Sequence, residues 1–285
     1  MADNRRNFMK SLVTGAVGGL VLSAPDGAAA QKQEQLTART IPIALVQFDA
    51  VPEQVDRNLR EMERLAEQAA KSGARWVMFH EGTVCDYTPR LREFAEQVPE
   101  GKCTQWVTKM ASRLNCFISF GLSETRADRF HISQVFVGPQ GFLYRYRKTW
   151  IWHDPKDEGY RDEWVRYDPG MGPEIFQFDG LRATCFICAD GLARRCIDRA
   201  AELRPQLVFY PNNRSSLYAY GPDLGQLAKM FGAPLLVSNR VGISWFEKCE
   251  GGCVVYGSHG EVLAKANCEG KEEILLCNLE IRPKS

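Results

Sequence analysis

Short apolar runs alternate with amphipathic stretches along this chain, then follow one another with no helix between them, and this order limits the folds open to it. Residues 41–48, Ile41-Pro42-Ile43-Ala44-Leu45-Val46-Gln47-Phe48, form an apolar run of strand length. Residues 55–72 place Val55, Leu59, Met62, Leu65 and Ala69 on one stripe, with Gly73 as a stop, which predicts a helix. A strand is predicted at 74–80, a helix at 104–115 with Trp106, Met110 and Leu114 inward, and a strand at 116–123. A hairpin follows at 131–138 and 142–147, around Pro139-Gln140-Gly141. The second half has a similar order. It has a hairpin at 175–178 and 181–187 on Asp179-Gly180, a helix at 193–203, a strand at 206–210, a helix at 223–231 and a strand at 235–238. A hairpin at 253–256 and 261–265 and a strand at 274–279 close the chain. Two such halves predict sheets stacked face to face with helices outside, a four-layer α-β-β-α sandwich of the α/β class.

The first thirty residues differ from the rest. Arg5-Arg6 precedes Phe8-Met9-Lys10, then a glycine-diluted apolar run, then Ala28-Ala29-Ala30 before Gln31. This resembles a twin-arginine export signal. It is too short and glycine-rich for a membrane span, which needs about 20 apolar residues. The expected organisation is a signal at 1–30, a linker at 31–39 and one catalytic domain at 40–285. The mature protein is expected in the periplasm or outside a bacterial cell, or in the cytoplasm if the signal is unused. No stable membrane insertion of the mature chain is expected. A net charge of +1, without a basic block, gives no nucleic-acid footprint and makes a small or neutral substrate the easier expectation. Ten cysteines are many for a cytosolic enzyme and few for a disulfide scaffold of 285 residues. No pairing is assigned, and Cys249 with Cys253 is the first pair to test.

Three sites stand out, each at the end of a predicted strand. Phe79-His80-Glu81-Gly82 puts a carboxylate after an apolar run, Tyr146-Arg147-Lys148 ends a hairpin, and Ile187-Cys188-Ala189-Asp190 puts a thiol at a turn before a helix. Taken singly, each also fits a solvated surface charge or an inert buried cysteine.

Taken in this order, the three resemble the nitrilase (carbon–nitrogen hydrolase) superfamily over residues 41–279. Asp168-Pro169-Gly170 and Ser238-Asn239-Arg240-Val241-Gly242 are similar to further elements of that family, and Glu163, seven residues before Gly170, falls where many members carry a second glutamate. The resemblance implies Cys188 as nucleophile, Glu81 as general base, Lys148 with the backbone N–H after Cys188 as oxyanion stabiliser, and Glu163 as an orienting group. It implies no cofactor and no metal. The expected substrate is a small amide or N-carbamoyl compound, with a nitrile second, and the expected assembly is a homodimer or larger homo-oligomer. The chain departs from the family at Ala189, where a larger residue is common, and at His80, where proline is usual. A small residue at 189 is expected to open space beside the nucleophile. Candidate substrate contacts are Tyr87, Trp152, Ala189, Asn212 and Asn213, with Trp150 and His153 nearby. Simple packing accounts equally well for the aromatic residues, whose density mildly favours an apolar or ring-bearing substrate.

Two readings of another class stand beside this one. The scaffold could serve as a non-catalytic binding protein, against which the intact Glu, Lys and Cys weigh. Cys185-Phe186-Ile187-Cys188 has redox or metal spacing. On a continuing strand its two sulfurs would point to opposite faces, and the four histidines are scattered. No Gly-x-Ser-x-Gly elbow is present for a serine hydrolase.

Overall fold

The computed structural model describes residues 38–153, 162–218, 221–244 and 247–282. The expected signal at 1–30 lies outside them. The described residues all belong to one compact unit.

In chain order the first half contains β1 (Arg39–Gln47), α1 (Val55–Lys71), β2 (Trp76–Met78), α2 (Leu91–Phe94), α3 (Lys102–Leu114), β3 (Phe117–Arg126), β4 (Arg129–Gly138) and β5 (Gly141–Arg147). The second contains β6 (Phe176–Phe178), β7 (Leu181–Cys185), α4 (Arg194–Glu202), β8 (Leu207–Pro211), α5 (Leu224–Phe231) and β9 (Leu235–Ser238). It continues through β10 (Val241–Ser244), β11 (Glu247–Glu250), β12 (Val254–Tyr256), β13 (Val262–Lys265) and β14 (Glu273–Ile281). Two six-stranded sheets result, ordered β14-β1-β2-β3-β4-β5 and β13-β12-β9-β8-β7-β6. Each has a parallel centre, β1-β2-β3 in one and β7-β8-β9 in the other, flanked by antiparallel strands.

Alternation along β1 divides the core. Ile43 and Leu45 join Trp76, Phe136, Phe178 and Phe209 between the sheets. Ala44 and Val46 join Leu59, Met62 and Leu65 of α1 and Val107 and Met110 of α3 on the outer face. This is the period-two pattern of a strand buried on both sides. The tight turn Asp179-Gly180 has positive φ at both residues, as such hairpins require. Its carboxylate reaches across to the first sheet, accepting from Arg75 Nη2 at 2.6 Å and Trp76 Nε1 at 3.0 Å. The sandwich is the one expected.

The structure corrects several local expectations. α3 buries Cys103, Thr104, Val107, Met110 and Ala111, while Trp106 and Leu114 are only partly buried. Trp106 lies beside α1, its indole N–H on Glu63 Oε2 at 3.2 Å. The ribbon β10-β11 was not predicted; it stands apart from both sheets and exposes Ile243, so it carries no apolar alternation. The strand expected to run to residue 187 ends at Cys185, and Cys188 opens a 3-10 turn over Cys188–Leu192. Cys249 and Cys253 are both free thiols. No described helix is long and apolar enough to cross a membrane.

Candidate active site

The parallel strands β2 and β7 both end where the two sheets meet, the edge at which open α/β sheets commonly bind ligands. Glu81 follows β2, Lys148 directly follows β5, and Cys188 follows β7. Two glycines allow the backbone to close around the first two. A Cβ on Gly121 would lie 2.3 Å from Gly82 N and 2.8 Å from Glu81 Cα. One on Gly170 would lie 2.2 Å from Arg147 O, and Gly170 N donates to Lys148 O at 2.8 Å. Only glycine fits at either place.

Exposure is 0% for Lys148, 1% for Glu81, 3% for Glu163 and 9% for Cys188, so solvent does little to screen their charges. Lys148 Nζ donates to Glu81 Oε1 at 2.9 Å and to Glu163 Oε1 at 2.7 Å. Tyr87 OH donates to Glu163 Oε1 at 2.6 Å and lies 3.3 Å from Glu81 Oε1. Glu163 Oε2 accepts from Trp152 N at 2.8 Å. Burial works against the Lys148 ammonium, but Glu163 and Glu81 outweigh it and hold its pKa well above the usual lysine value. Burial also raises Glu81 to about 7, assisted by Glu163 and opposed by Lys148. The Cys188 thiol and Glu81 are close enough for each to shift the other's proton affinity. Burial raises that thiol to about 11; Glu81 adds to the rise, and Lys148 and Arg214 oppose it. The resting pair is therefore a neutral thiol beside a carboxylate that exchanges protons near neutrality, the state a general base needs.

Cys188 sits at φ +43°, a left-handed conformation that costs a non-glycine residue about 1–2 kcal/mol. Tyr210 OH donates to Cys188 O at 2.7 Å and braces it. The turn is also clamped by Asp190, which is fully buried. Asp190 Oδ1 accepts from Thr149 N at 3.0 Å and Trp150 N at 2.5 Å. Its Oδ2 accepts from Tyr146 OH and Ile187 N, both at 2.8 Å. One carboxylate thus joins the segment bearing Lys148 to the segment bearing Cys188. Burial raises the Asp190 carboxyl above the usual aspartate range, with these donors opposing the rise.

The structure brings Glu81, Lys148, Glu163, Cys188 and Tyr87 together. Ala189 is buried within the nucleophile turn. Trp152 contributes its backbone N–H to Glu163 while its side chain is 46% exposed. Trp150 lies under the Arg195 guanidinium at 5.2 Å, and His153 contacts Asp162 at 3.1 Å. Asn212 Nδ2 bonds Tyr210 O at 2.8 Å, its backbone O accepts from Glu81 N at 3.3 Å, and its Oδ1 has no partner. Asn213 Nδ2 bonds Asp86 Oδ1 at 2.6 Å. The Ser238-to-Gly242 element acts as a brace. Arg240 is fully buried, with Nη1 on Asp86 Oδ2 at 2.6 Å and Nη2 on Asp49 Oδ1 at 3.1 Å. Sequence reasoning assigned no role to Asp190, Tyr210 or Arg214. The place of Asp190, two residues after the thiol, was the one available signal. His80 is fully buried; burial, then the Arg240 charge, lowers it to about 3, so it is neutral. Among the described residues no group of His, Cys, Asp and Glu could hold a metal ion.

The stacked sheets and the buried acid–lysine–thiol cluster define a hydrolase of C–N bonds. The chain belongs to the carbon–nitrogen hydrolase family, whose profile matches residues 42–281. Among curated relatives, a nitrilase from Pyrococcus abyssi is 25% identical over 247 residues, 85% of this chain and 90% of that protein. Among solved structures, the amidase from Nesterenkonia sp. AN1 aligns with a TM-score of 0.74 at 20% identity, over 84% of this chain and 90% of that one. That structure shows covalent addition of the acetamide moiety of fluoroacetamide at the active-site cysteine of a mutant amidase. A carbon–nitrogen hydrolase from Helicobacter pylori aligns with a TM-score of 0.70 at 21% identity, over 84% and 88% of the two chains.

Proposed function

We propose that this carbon–nitrogen hydrolase cleaves a carboxamide or N-carbamoyl compound through a covalent intermediate on Cys188. The supporting observation is Lys148 held between Glu81 and Glu163, with Cys188 near enough for its thiol and Glu81 to perturb one another. Glu81 takes the thiol proton as sulfur attacks the carbonyl carbon. The resulting oxyanion is stabilised by the Lys148 ammonium and the backbone N–H after Cys188. Glu81 passes its proton to the nitrogen, and ammonia or an amine leaves a thioester. Water then attacks the thioester, Glu81 takes a proton from it, and the acid departs as the thiol is restored. Glu163 and Tyr87 keep the ammonium aimed at the oxyanion.

Nitrile hydrolysis is the second reading, favoured by the relative from Pyrococcus abyssi. A panel of amides, N-carbamoyl compounds and nitriles tests both. Ammonia release that disappears in Cys188→Ala, with an acyl adduct on the Cys188 peptide of the active protein, supports the first reading. Release from nitriles alone supports the second, and no release from any member refutes both. The proposal extends to export and to a homo-oligomer, which cell fractionation and light scattering test.

A further inference from the structure

Tyr87 is preceded by an aspartate whose side chain is fully buried. Asp86 closes a tight turn behind the base: its N–H donates to Gly82 O at 2.7 Å, and Gly82 follows Glu81. Gly82 has φ +68° and Asp86 φ +58°, and a non-glycine residue holds that left-handed conformation only where its neighbours enforce it. The neighbours here come from the other sheet. Asp86 Oδ2 pairs with Arg240 Nη1 at 2.6 Å, just beyond β9, and Asp86 Oδ1 accepts from Asn213 Nδ2 at 2.6 Å, just beyond β8. Arg240 is itself immobilised. Its Nη2 reaches Ala50 O at 2.8 Å and Asp49 Oδ1 at 3.1 Å, and its Nε donates to Val241 O at 3.1 Å. Each guanidinium nitrogen has a task, which the single ammonium of a lysine could not reproduce.

What this anchoring delivers is the next residue. The Tyr87 hydroxyl stands 2.6 Å from Glu163 Oε1 and 3.3 Å from Glu81 Oε1, between the two carboxylates that hold Lys148. A phenol oxygen is the far end of a long rigid side chain, so a small rotation of the backbone at Asp86 displaces it by much more. The groups that act on the Glu81 charge are Lys148, Glu163 and Cys188, with Tyr87, Tyr210 and Arg214 coupled to it as well.

We infer that Asp86, gripped by Arg240 and Asn213, is a positioning residue that sets the Tyr87 hydroxyl against Glu81 and Glu163 and so tunes the base. The inference rests on the proposed role of Glu81 in deprotonating Cys188. It separates from a simple structural role by sign. A donated hydrogen bond favours the ionised carboxylate, so loss of the Tyr87 donor raises the pH at which Glu81 ionises. Loss of the Asp86 negative charge, acting alone, lowers it.

Alkylation of Cys188 by iodoacetamide, followed across pH in the full chain by mass spectrometry of its peptide, reports when Glu81 can take the thiol proton. The parent protein is expected to show an acid limb near 7. Tyr87→Phe is expected to move that limb up by about half a pH unit. Asp86→Asn is expected to move it the same way, and the double variant no further than Tyr87→Phe alone. A limb that is absent in the parent, that stays in place in Asp86→Asn, or that moves down as the lost charge alone requires, overturns the proposal. Additive shifts in the double variant also overturn it. Asn213→Ala removes one anchor and leaves the ion pair intact; Asn213 Oδ1 has no partner to lose. Its limb is expected to move up as well, and if Asp86→Asn does not fold, an unmoved limb in Asn213→Ala overturns the proposal. Alkylation needs no turnover, so absence of ammonia release would count against the hydrolase reading and not against the role of Asp86.

Discussion

Replacing Asp190 with asparagine tests whether one buried carboxylate sets the distance between the lysine and the thiol. Its two oxygens accept from Thr149 N, Trp150 N, Tyr146 OH and Ile187 N. Asparagine keeps one oxygen and turns an NH2 group towards the donors that faced the other. Two hydrogen bonds to a charged group are lost, each contributing about 1.5–3 kcal/mol. Relief from burying a charge, the effect that raises this carboxyl, offsets part of the loss. The expected net destabilisation is about 2–4 kcal/mol, read as a lower urea midpoint at an unchanged slope. Activity should suffer beyond stability. A displacement of about 1 Å between reacting groups can lower the rate on the order of a hundredfold. Ammonia kinetics on folded variant should therefore show a fall in kcat larger than any rise in KM. A variant within about 0.5 kcal/mol of the parent, with unchanged kcat, would refute the clamp.

Because Glu81 acts as base only when ionised and its pKa is raised from 4.5 to about 7, kcat/KM should fall about tenfold per pH unit below that value and level off just above it. An acid limb near 4.5, measured with a neutral amide, would contradict the buried environment. Cys188→Ala should retain the fold, since little side-chain volume is lost, and should release no ammonia, as circular dichroism and a coupled ammonia assay will show. Gly121→Ala forces a methyl against Gly82 N at 2.3 Å. It should cost about 1–3 kcal/mol in thermal stability and lower kcat by shifting Glu81, whereas an unchanged melting temperature would mean that the two strands move apart freely.

The layered fold was legible because burial imposes a local period. Ile43 and Leu45 face one core and Ala44 and Val46 the other. The alternating halves, the Asp179-Gly180 turn and the α1 stripe were open to local reading for the same reason. The pairing of β14 with β1, from Arg39↔Ile281 to Gln47↔Glu273, joins opposite ends of the chain and leaves no trace in any short window. Glu81, Lys148 and Cys188 were legible as an ordered set at strand ends together with a family resemblance. Asp190 and Arg214 were not, since an acid and a base look alike in sequence whether they meet water or a buried partner. What sets Asp190 apart is its contact with Thr149 and Trp150, some forty residues earlier, which tertiary packing alone creates.

Glu81 and Lys148 hang from one sheet and Cys188 from the other. Reactivity is therefore a property of the seam between the sheets, belonging to neither alone. A polypeptide whose two sheets have yet to meet carries an ordinary thiol with no neighbouring base, and it is chemically silent towards whatever it encounters while folding. Turnover in such a molecule also serves as an internal gauge of how well its halves have interlocked.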